Sequence, residues 1–148
     1  MKHPAKPTLN THADAVIHYI SHLDIDMIDT LLDDKLDYQE FPKHIFIQKF
    51  GAAFDQFIQA GDQVLEVHNG FCKEFICNNQ SSGYRFSSRS YGFYFDLIID
   101  IENGQVKDIY ECSSFRCLSS DTQASKRVLI DRREVVIKIE FPPNGFSE

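Results

Sequence analysis

The feature that most constrains this chain is an Asn-Gly pair between two runs in which apolar and polar residues alternate. Phe93 to Glu102 alternate, Asn103-Gly104 follows, and the alternation resumes from Gln105 to about Phe115. Asn-Gly between two such runs is the strongest short-range signal for a β-hairpin, because both residues accept the positive φ of a two-residue turn. We therefore predict two antiparallel strands joined at residues 103–104.

A two-residue turn also predicts which residues face each other across the strands. Glu102 then faces Gln105, and further from the turn Asp96 faces Glu111 on the same side. The other side is mostly apolar and is expected to pack against helices. Its predicted pairs are Ile101 with Val106, Ile99 with Asp108, Leu97 with Tyr110, and Phe95 with Cys112.

The side that carries Asp96 and Glu111 admits three interpretations. Like charges directly opposite each other are unfavourable, so on a buried face one carboxyl is pushed to hold its proton and can act as an acid or a base. If the face is solvated, as the neighbouring Asp100–Lys107 pair indicates, the carboxyls have no chemical role. The third interpretation is a dimer interface whose apolar part consists of Tyr94, Ile98 and Ile109.

Apolar residues at spacings of three and four predict three helices before this hairpin. Thr11 or Asn10 caps the first helix, which runs to about Leu23, and Asp24 caps a shorter second one. The third is expected from about Lys43 to Ala60. Its apolar stripe contains Phe46, Ile47, Phe50, Phe54, Phe57 and Ile58.

Shorter alternating runs, each bounded by turn-forming residues, predict four further strands. These strands are expected at residues 36–41, 63–71, 84–89 and 135–141. Polar stretches at 78–83 and 119–127 predict a turn and a loop. The chain thus divides into a flexible arm at 1–10, a folded domain at 11–118 and a C-terminal extension at 119–148.

Composition restricts the class of protein. The 148 residues have the length of one domain. An excess of 22 acidic over 15 basic residues gives a net charge of -7, which argues against nucleic acid and anionic lipid as partners. No apolar run reaches the roughly 18 residues of a transmembrane helix, and none follows the N-terminus as in a signal peptide. We expect a cytoplasmic protein that binds neither nucleic acid nor a membrane.

Two passages, in this order of elements, resemble the nuclear transport factor 2-like superfamily, also described as SnoaL-like or cystatin-like cone folds. Residues Asp26 to Asp34 resemble its early helix, in which an acidic start leads to Leu-Leu and a closing acidic pair. Residues Ile101 to Ile109 resemble its last hairpin, where an Asn-Gly-type turn precedes Val or Ile. The resemblance covers residues 11–117. It implies an α+β fold with N-terminal helices packed on a strongly curved, cone-shaped antiparallel sheet, to which this chain adds a C-terminal strand.

The same resemblance implies a homodimer and an apolar pocket at the open end of the cone. The pocket is expected to bind a small, largely apolar ligand and to be lined by Phe50, Phe54, Phe57, Phe95 and Leu97. Relatives of the ketosteroid isomerase type place an acid on the first strand and phenols or carboxyls deeper in the cone. The corresponding candidates for catalysis here are Tyr19, Glu40, Asp108 and Tyr110.

Four cysteines form two Cys-x4-Cys pairs, Cys72 with Cys77 and Cys112 with Cys117. Zinc takes three or four sulfur or nitrogen ligands, often from two local pairs, so a zinc site with His68 in reserve is one interpretation. On a straight strand, residues five apart point to opposite faces. Ordinary thiols are therefore the alternative interpretation.

Asp14, His18 and His22 follow each other at spacings of four on the first helix. They form either a metal-binding stack or an exposed polar face.

These patterns leave three functions open. The first is a small pocket protein without assigned catalysis, which binds an apolar ligand or serves as a dimerising module. The second is a lyase or isomerase that transfers a proton within the cavity, and the third is a zinc-stabilised interaction domain. No cofactor other than this zinc is expected.

Overall fold

A computed structural model describes residues 10–69, 81–89, 92–111 and 126–130. The helices of this part are α1 (His12–Ser21), α2 (Ile25–Leu31) and α3 (Lys43–Gln59). Its strands are β1 (Asp37–Tyr38), β2 (Phe41–Pro42), β3 (Glu66–Asn69), β4 (Ser81–Ser87), β5 (Phe93–Glu102), β6 (Gln105–Glu111) and β7 (Lys126–Arg127). Strands β3 to β6 form an antiparallel sheet in chain order, β7 pairs in parallel with β5, and β1 and β2 form a separate hairpin. The fold is α+β, as predicted.

The first two helices begin at the predicted capping residues. The Thr11 hydroxyl accepts a hydrogen bond from the Asp14 N–H at 3.0 Å, and the Asp24 carboxylate accepts one from the Met27 N–H at 3.1 Å. Each bond satisfies one of the backbone donors that a helix leaves open at its start and stabilises it by about 1 kcal/mol. Between the helices, Leu23 reverses the chain with a φ of 56°.

Helix α3 forms the centre of the core. Its buried face consists of Phe46, Phe50, Ala53, Phe54 and Phe57. The rings of Phe50 and Phe54 contact each other along the helix at 4.6 Å between centroids, and Phe57 contacts Phe95 of β5 at 5.2 Å. Ile58, which was predicted for this stripe, is 48% exposed. The reason is that one further residue turns the side chain by roughly 100° around the helix axis.

The predicted hairpin turn is confirmed. Asn103 and Gly104 have positive φ values of 54° and 77°, as a two-residue turn requires. The two pairs next to the turn are also as predicted, Glu102 with Gln105 and Ile101 with Val106. Beyond them the register shifts by one residue, so that Asp100 faces Asp108 and Lys107 is the extra residue of a β-bulge.

The bulge moves every later residue of β6 to the opposite face of the strand. Ile109, instead of Asp108, therefore lies on the core face, where it is fully buried. Full burial of an isoleucine contributes roughly 1.5–3 kcal/mol, which favours this register over the predicted one. The predicted core-face positions of Asp108 and Tyr110 are wrong, and so is the pairing of Asp96 with Glu111.

Three further local predictions are wrong. Residues 36–41 do not form one strand, because the chain reverses at Gln39 and Glu40 with φ values of 51° and 68°. Strand β4 begins inside the predicted turn at 78–83, and β7 lies inside the predicted loop at 119–127. Both of these strands are fixed by their pairing with β5, which local composition does not reveal.

Several predicted features lie outside the described residues. These are residues 1–9 of the arm predicted at 1–10, the four cysteines, the continuation of β6 to residue 115, the domain boundary at 118 and the strand at 135–141. Within the described ranges, no helix combines the length and the apolar composition needed to cross a membrane.

Candidate functional site

A groove lies between α2, the β1–β2 hairpin and the start of α3. Its volume is about 380 Å³. The lining consists of Asp29, Asp34, Asp37, Pro42, Lys43, His44 and Ile47. The groove exists because the tight turn of the hairpin leads directly into α3, so that the first turn of α3 lies opposite α2.

Lys43 is the fixed centre of the groove. Its ammonium lies 3.2 Å from Asp29 Oδ1 and 2.5 Å from Asp34 Oδ1, and it donates to the Leu32 carbonyl at 3.1 Å. Partial burial opposes the charge, but the hydrogen bonds and charges of Asp34 and Asp29 outweigh it and raise the pKa of Lys43. The hydrogen bond from Lys43 lowers the pKa of Asp34. Lys43 is therefore a protonated anchor and not a nucleophile.

The charge of the groove is negative. Three carboxylates face one ammonium, and the ammonium is already hydrogen-bonded to Asp34 and to a carbonyl. Asp37 and His44 supply further polar atoms, while Pro42 and Ile47 supply an apolar surface. This arrangement suits a small molecule that carries a positive charge on a short apolar body.

Asp108, a predicted catalytic residue, lies where the β1–β2 hairpin contacts β6. Its Oδ1 accepts hydrogen bonds from the backbone N–H groups of Gln39 at 2.9 Å and Ile109 at 2.8 Å. Burial raises the pKa of Asp108, these two bonds oppose the rise, and the charges of Asp100 and Glu40 add to it. The carboxyl thus joins the bulge to the hairpin.

Gln39 completes this junction, and sequence reasoning missed it. Its side-chain oxygen accepts from the Glu111 N–H at 3.0 Å, and its amide donates to Glu111 Oε1 at 3.2 Å. The second oxygen of Glu111 accepts from the Ile130 N–H, so the same carboxylate also binds the segment after β7. No local pattern marks Gln39, because its role depends on where the hairpin meets β6.

The other three predicted catalytic residues are distributed over different elements. Glu40 is exposed at the turn of the β1–β2 hairpin, near Asp108. Tyr19 is half-buried on α1, with its ring 4.9 Å from that of His18 in an edge contact. Tyr110 is half-buried on β6. Among the described residues, no hydrogen bond connects either tyrosine to the carboxyl of Asp108. Glu40 lies near that carboxyl, and Tyr110 lies two residues further along β6 on the same face.

The five residues predicted to line the pocket all belong to the core. Each is at most 1% exposed: Phe50, Phe54, Phe57, Phe95 and Leu97. Phe95 contacts the rings of Phe50, Phe54 and Phe57 at centroid distances of 5.9, 6.2 and 5.2 Å. The five side chains thus belong to one core cluster, in which the four phenylalanine rings contact each other, and a cavity among them stays a prediction.

A second charged cluster lies on the face of the sheet opposite α3. Arg85 Nε donates to Asp96 Oδ1 at 2.8 Å and Arg85 Nη2 donates to Asp96 Oδ2 at 3.2 Å. The Arg85 guanidinium also lies 4.4 Å from the ring centre of Tyr94. Burial raises the pKa of Asp96, while the hydrogen bond and charge of Arg85 and, to a smaller extent, the charge of Arg127 oppose this rise. Sequence reasoning missed Arg85 as the partner of Asp96.

This face is not the solvated surface that the sequence indicates. Asp96 is 2% exposed and Ile98 is 6% exposed. Ile109 lies on the other side, in the core. The predicted dimer patch of Tyr94, Ile98 and Ile109 is therefore not a surface patch. The bulge places Ile109 on the core face, and Ile98 is buried on its own face.

Metal binding has limited support among the described residues. No group of three or more His, Cys, Asp and Glu side chains in this part of the chain could hold an ion. The cysteines lie outside it, so the zinc site stays a prediction. On α1, the rings of His18 and His22 contact each other at 4.2 Å, whereas Asp14 does not join them.

Comparison of the chain with protein-family models, with curated proteins and with solved structures finds no match. The nuclear transport factor 2-like resemblance therefore stays a prediction that rests on two sequence passages and on the order of the elements.

Proposed function

We propose that this protein is a small, non-catalytic binding protein whose groove takes a small organic cation. The observation that carries the proposal is the groove around Lys43, with its excess of carboxylates and its apolar contribution from Ile47. The ligand is more polar than the largely apolar molecule that the sequence predicts, because three of the seven lining residues are aspartates.

The chemistry of the groove favours binding over catalysis. Lys43 holds its proton, and Asp108 already accepts two backbone hydrogen bonds. Proton transfer in a cone cavity stays a prediction. An ammonium or guanidinium group, in contrast, finds the Asp37 carboxylate within the lining and can place its aliphatic part on Ile47.

A titration with n-butylammonium tests the proposal, with n-butyrate as the probe that has the same number of carbons and the opposite charge. We expect butylammonium to shift the Ile47 methyl resonance with a dissociation constant of about 1 mM. That affinity is roughly 0.8 kcal/mol per heavy atom, below the ceiling of about 1.5 for the best small ligands. Butyrate should leave the resonance unchanged.

Two variants locate the binding. Asp37→Asn should weaken the binding of butylammonium by about two- to fivefold, the size of one solvent-exposed charge contact. Asp55→Asn, which changes an exposed carboxylate of α3 outside the groove, should leave it unchanged. Equal responses to the two probes, or no response of Ile47, would contradict the proposal.

We also propose the cone-shaped sheet and the homodimer. The ring contacts of α3 with Phe95 support a sheet that curves around this helix. Native mass spectrometry at micromolar concentration tests the dimer, which is expected at twice the chain mass of 17.1 kDa. A monomer as the sole species would contradict it.

A further inference from the structure

We propose that His18 and His22 form a second site, independent of the groove, that chelates a divalent transition ion such as Ni²⁺ or Cu²⁺ on the surface of α1. The two histidines are four residues apart on one helical face, which is the spacing at which two imidazoles on a helix bind the same metal. Their ring centroids are 4.2 Å apart and the ring planes are inclined by 38°. Small rotations of the rings then direct one nitrogen of each toward a shared ion.

The hydrogen bonds of His22 leave one nitrogen available for the ion. Its Nδ1 lies 3.0 Å from the carbonyl oxygen of His18, and a carbonyl can only accept, so Nδ1 carries the proton. The Ser21 hydroxyl donates to the same carbonyl at 2.6 Å, which leaves its oxygen free to accept from Nδ1 at 3.2 Å. The lone pair of His22 is therefore on Nε2. Metal-binding histidines are commonly held in this way, with the second ring N–H bonded to a backbone carbonyl.

The ring nitrogens of His18 are also available for an ion. Among the described residues, its ring nitrogens make no hydrogen bond, and its contacts are with the rings of Tyr19 and His22.

The number of protein ligands, which is two, determines which ions this site can bind. Structural zinc sites use four protein ligands, and Asp14 does not extend the pair to three. Water must fill the other positions, which late divalent ions with a strong preference for imidazole nitrogen tolerate. In the order of affinities for nitrogen ligands, Ni²⁺ and Cu²⁺ stand above the earlier ions.

Titration of the full ¹⁵N-labelled chain with NiCl₂ at pH 7.5, under reducing conditions, tests the site. Paramagnetic Ni²⁺ should broaden the amide resonances around residues 18–22 first. Both His18→Gln and His22→Gln should lower the affinity at α1 by about a hundredfold, because each removes one arm of the chelate. Asp14→Asn is the matched control on the same helix and should leave the broadening unchanged.

The test separates this site from the thiols and from loss of folding. Broadening at residues 18–22 that persists in His22→Gln, or broadening confined to other parts of the chain, would overturn the proposal. His22 is exposed, so its variant should keep the far-ultraviolet circular dichroism of the parent chain. If the circular dichroism of His22→Gln differs from that of the parent chain, the His18→Gln variant replaces it in the test. Broadening at residues 18–22 that persists in His18→Gln would then overturn the proposal.

Discussion

Two basic residues in this protein make ion pairs of similar length with carboxylates that differ in their exposure to solvent. Arg85 lies 2.8 Å from Asp96, and the two side chains are 1% and 2% exposed. Lys43 lies 3.2 Å from Asp29, and the aspartates it contacts, Asp29 and Asp34, are 55% and 88% exposed. The comparison shows that distance alone does not set what an ion pair contributes, because solvent screens one pair and not the other.

The two pairs also differ in how much free energy of unfolding is lost when one partner is removed. Removing a partner of a buried pair leaves an uncompensated charge in a medium of low polarity, at a cost of roughly 3–5 kcal/mol. Removing a partner of an exposed pair leaves a charge that water solvates, at a cost of roughly 0–1 kcal/mol. Arg85 is therefore expected to contribute strongly to the stability of the sheet, whereas Lys43 is expected to contribute little.

The largest expected effect comes from Arg85→Met. We expect a loss of about 3–5 kcal/mol in the free energy of unfolding, because the Asp96 carboxylate stays buried without its partner. Urea denaturation measures this loss. The double variant Arg85→Met/Asp96→Leu should recover most of it, since apolar residues of similar volume then replace both charges. A double variant as unstable as the single one would contradict the assignment of the loss to an unpaired charge.

A smaller effect is expected from Lys43→Met, at about 1 kcal/mol in the same measurement. Its ion pairs are exposed at the aspartates, so 1 M NaCl should reduce the difference from the parent chain. The loss caused by Arg85→Met should not respond to salt. Lys35→Met changes an exposed lysine and should stay within about 0.5 kcal/mol of the parent chain.

The sequence was sufficient for those parts of the fold that depend on neighbouring residues. The caps at Thr11 and Asp24 and the turn at Asn103 and Gly104 follow from local hydrogen bonding and backbone preference. The bulge at Lys107 was not predictable, because it results from competition between two registers that differ only in which residue is buried in the core.

The candidate site was less predictable for the same reason. The pairing of Arg85 with Asp96 requires the alignment of β4 with β5, and these strands are separated by residues that give no hairpin signal. The groove forms because the β1–β2 hairpin packs beside α2, and the spacing of apolar residues along the sequence does not predict this packing. Single residues such as Lys43 and Asp34 look in the sequence like ordinary surface charges.

Asp108 is an intermediate case, half-buried and close to the carboxylates of Asp100 and Glu40. Because its pKa is raised above the ordinary 3.8, the folded chain binds this proton more tightly than the unfolded chain. Stability therefore falls as pH rises from 3.8 through the folded pKa. Asp108→Asn should remove this loss and, after solvent screening, raise the free energy of unfolding at pH 7 by at most about 1 kcal/mol.

Urea denaturation at pH 4 and pH 7 measures the effect of Asp108→Asn. The asparagine oxygen can still accept from the N–H groups of Gln39 and Ile109, so the junction with the hairpin should persist. Asp55→Asn, at an exposed position, should show the same pH dependence as the parent chain. A variant of Asp108 that is less stable at pH 7 than the parent would show that its charge stabilises the fold.

The smallest effect concerns His18 and His22, a pair of like charges when both are protonated. The pKa of His18 is lowered from 6.5, so below pH 6.5 the unfolded chain binds this proton more readily than the folded one. The neutral imidazole of His18 therefore makes its full contribution to stability above pH 6.5, and this contribution is lost as pH falls from 6.5 through the pKa of His18 in the folded chain. Burial is the larger cause of this lowered pKa, and the charge of a protonated His22 is the smaller one. His22→Gln should therefore reduce the decrease in melting temperature between pH 7.5 and 5.5 by only about 1 °C, because it removes the repulsion and not the burial. Its lost hydrogen bond to the His18 carbonyl should lower the melting temperature nearly equally at both pH values, so the difference between them isolates the charge. An unchanged difference would mean that solvent screens these two imidazoles as completely as it screens the exposed aspartates around Lys43.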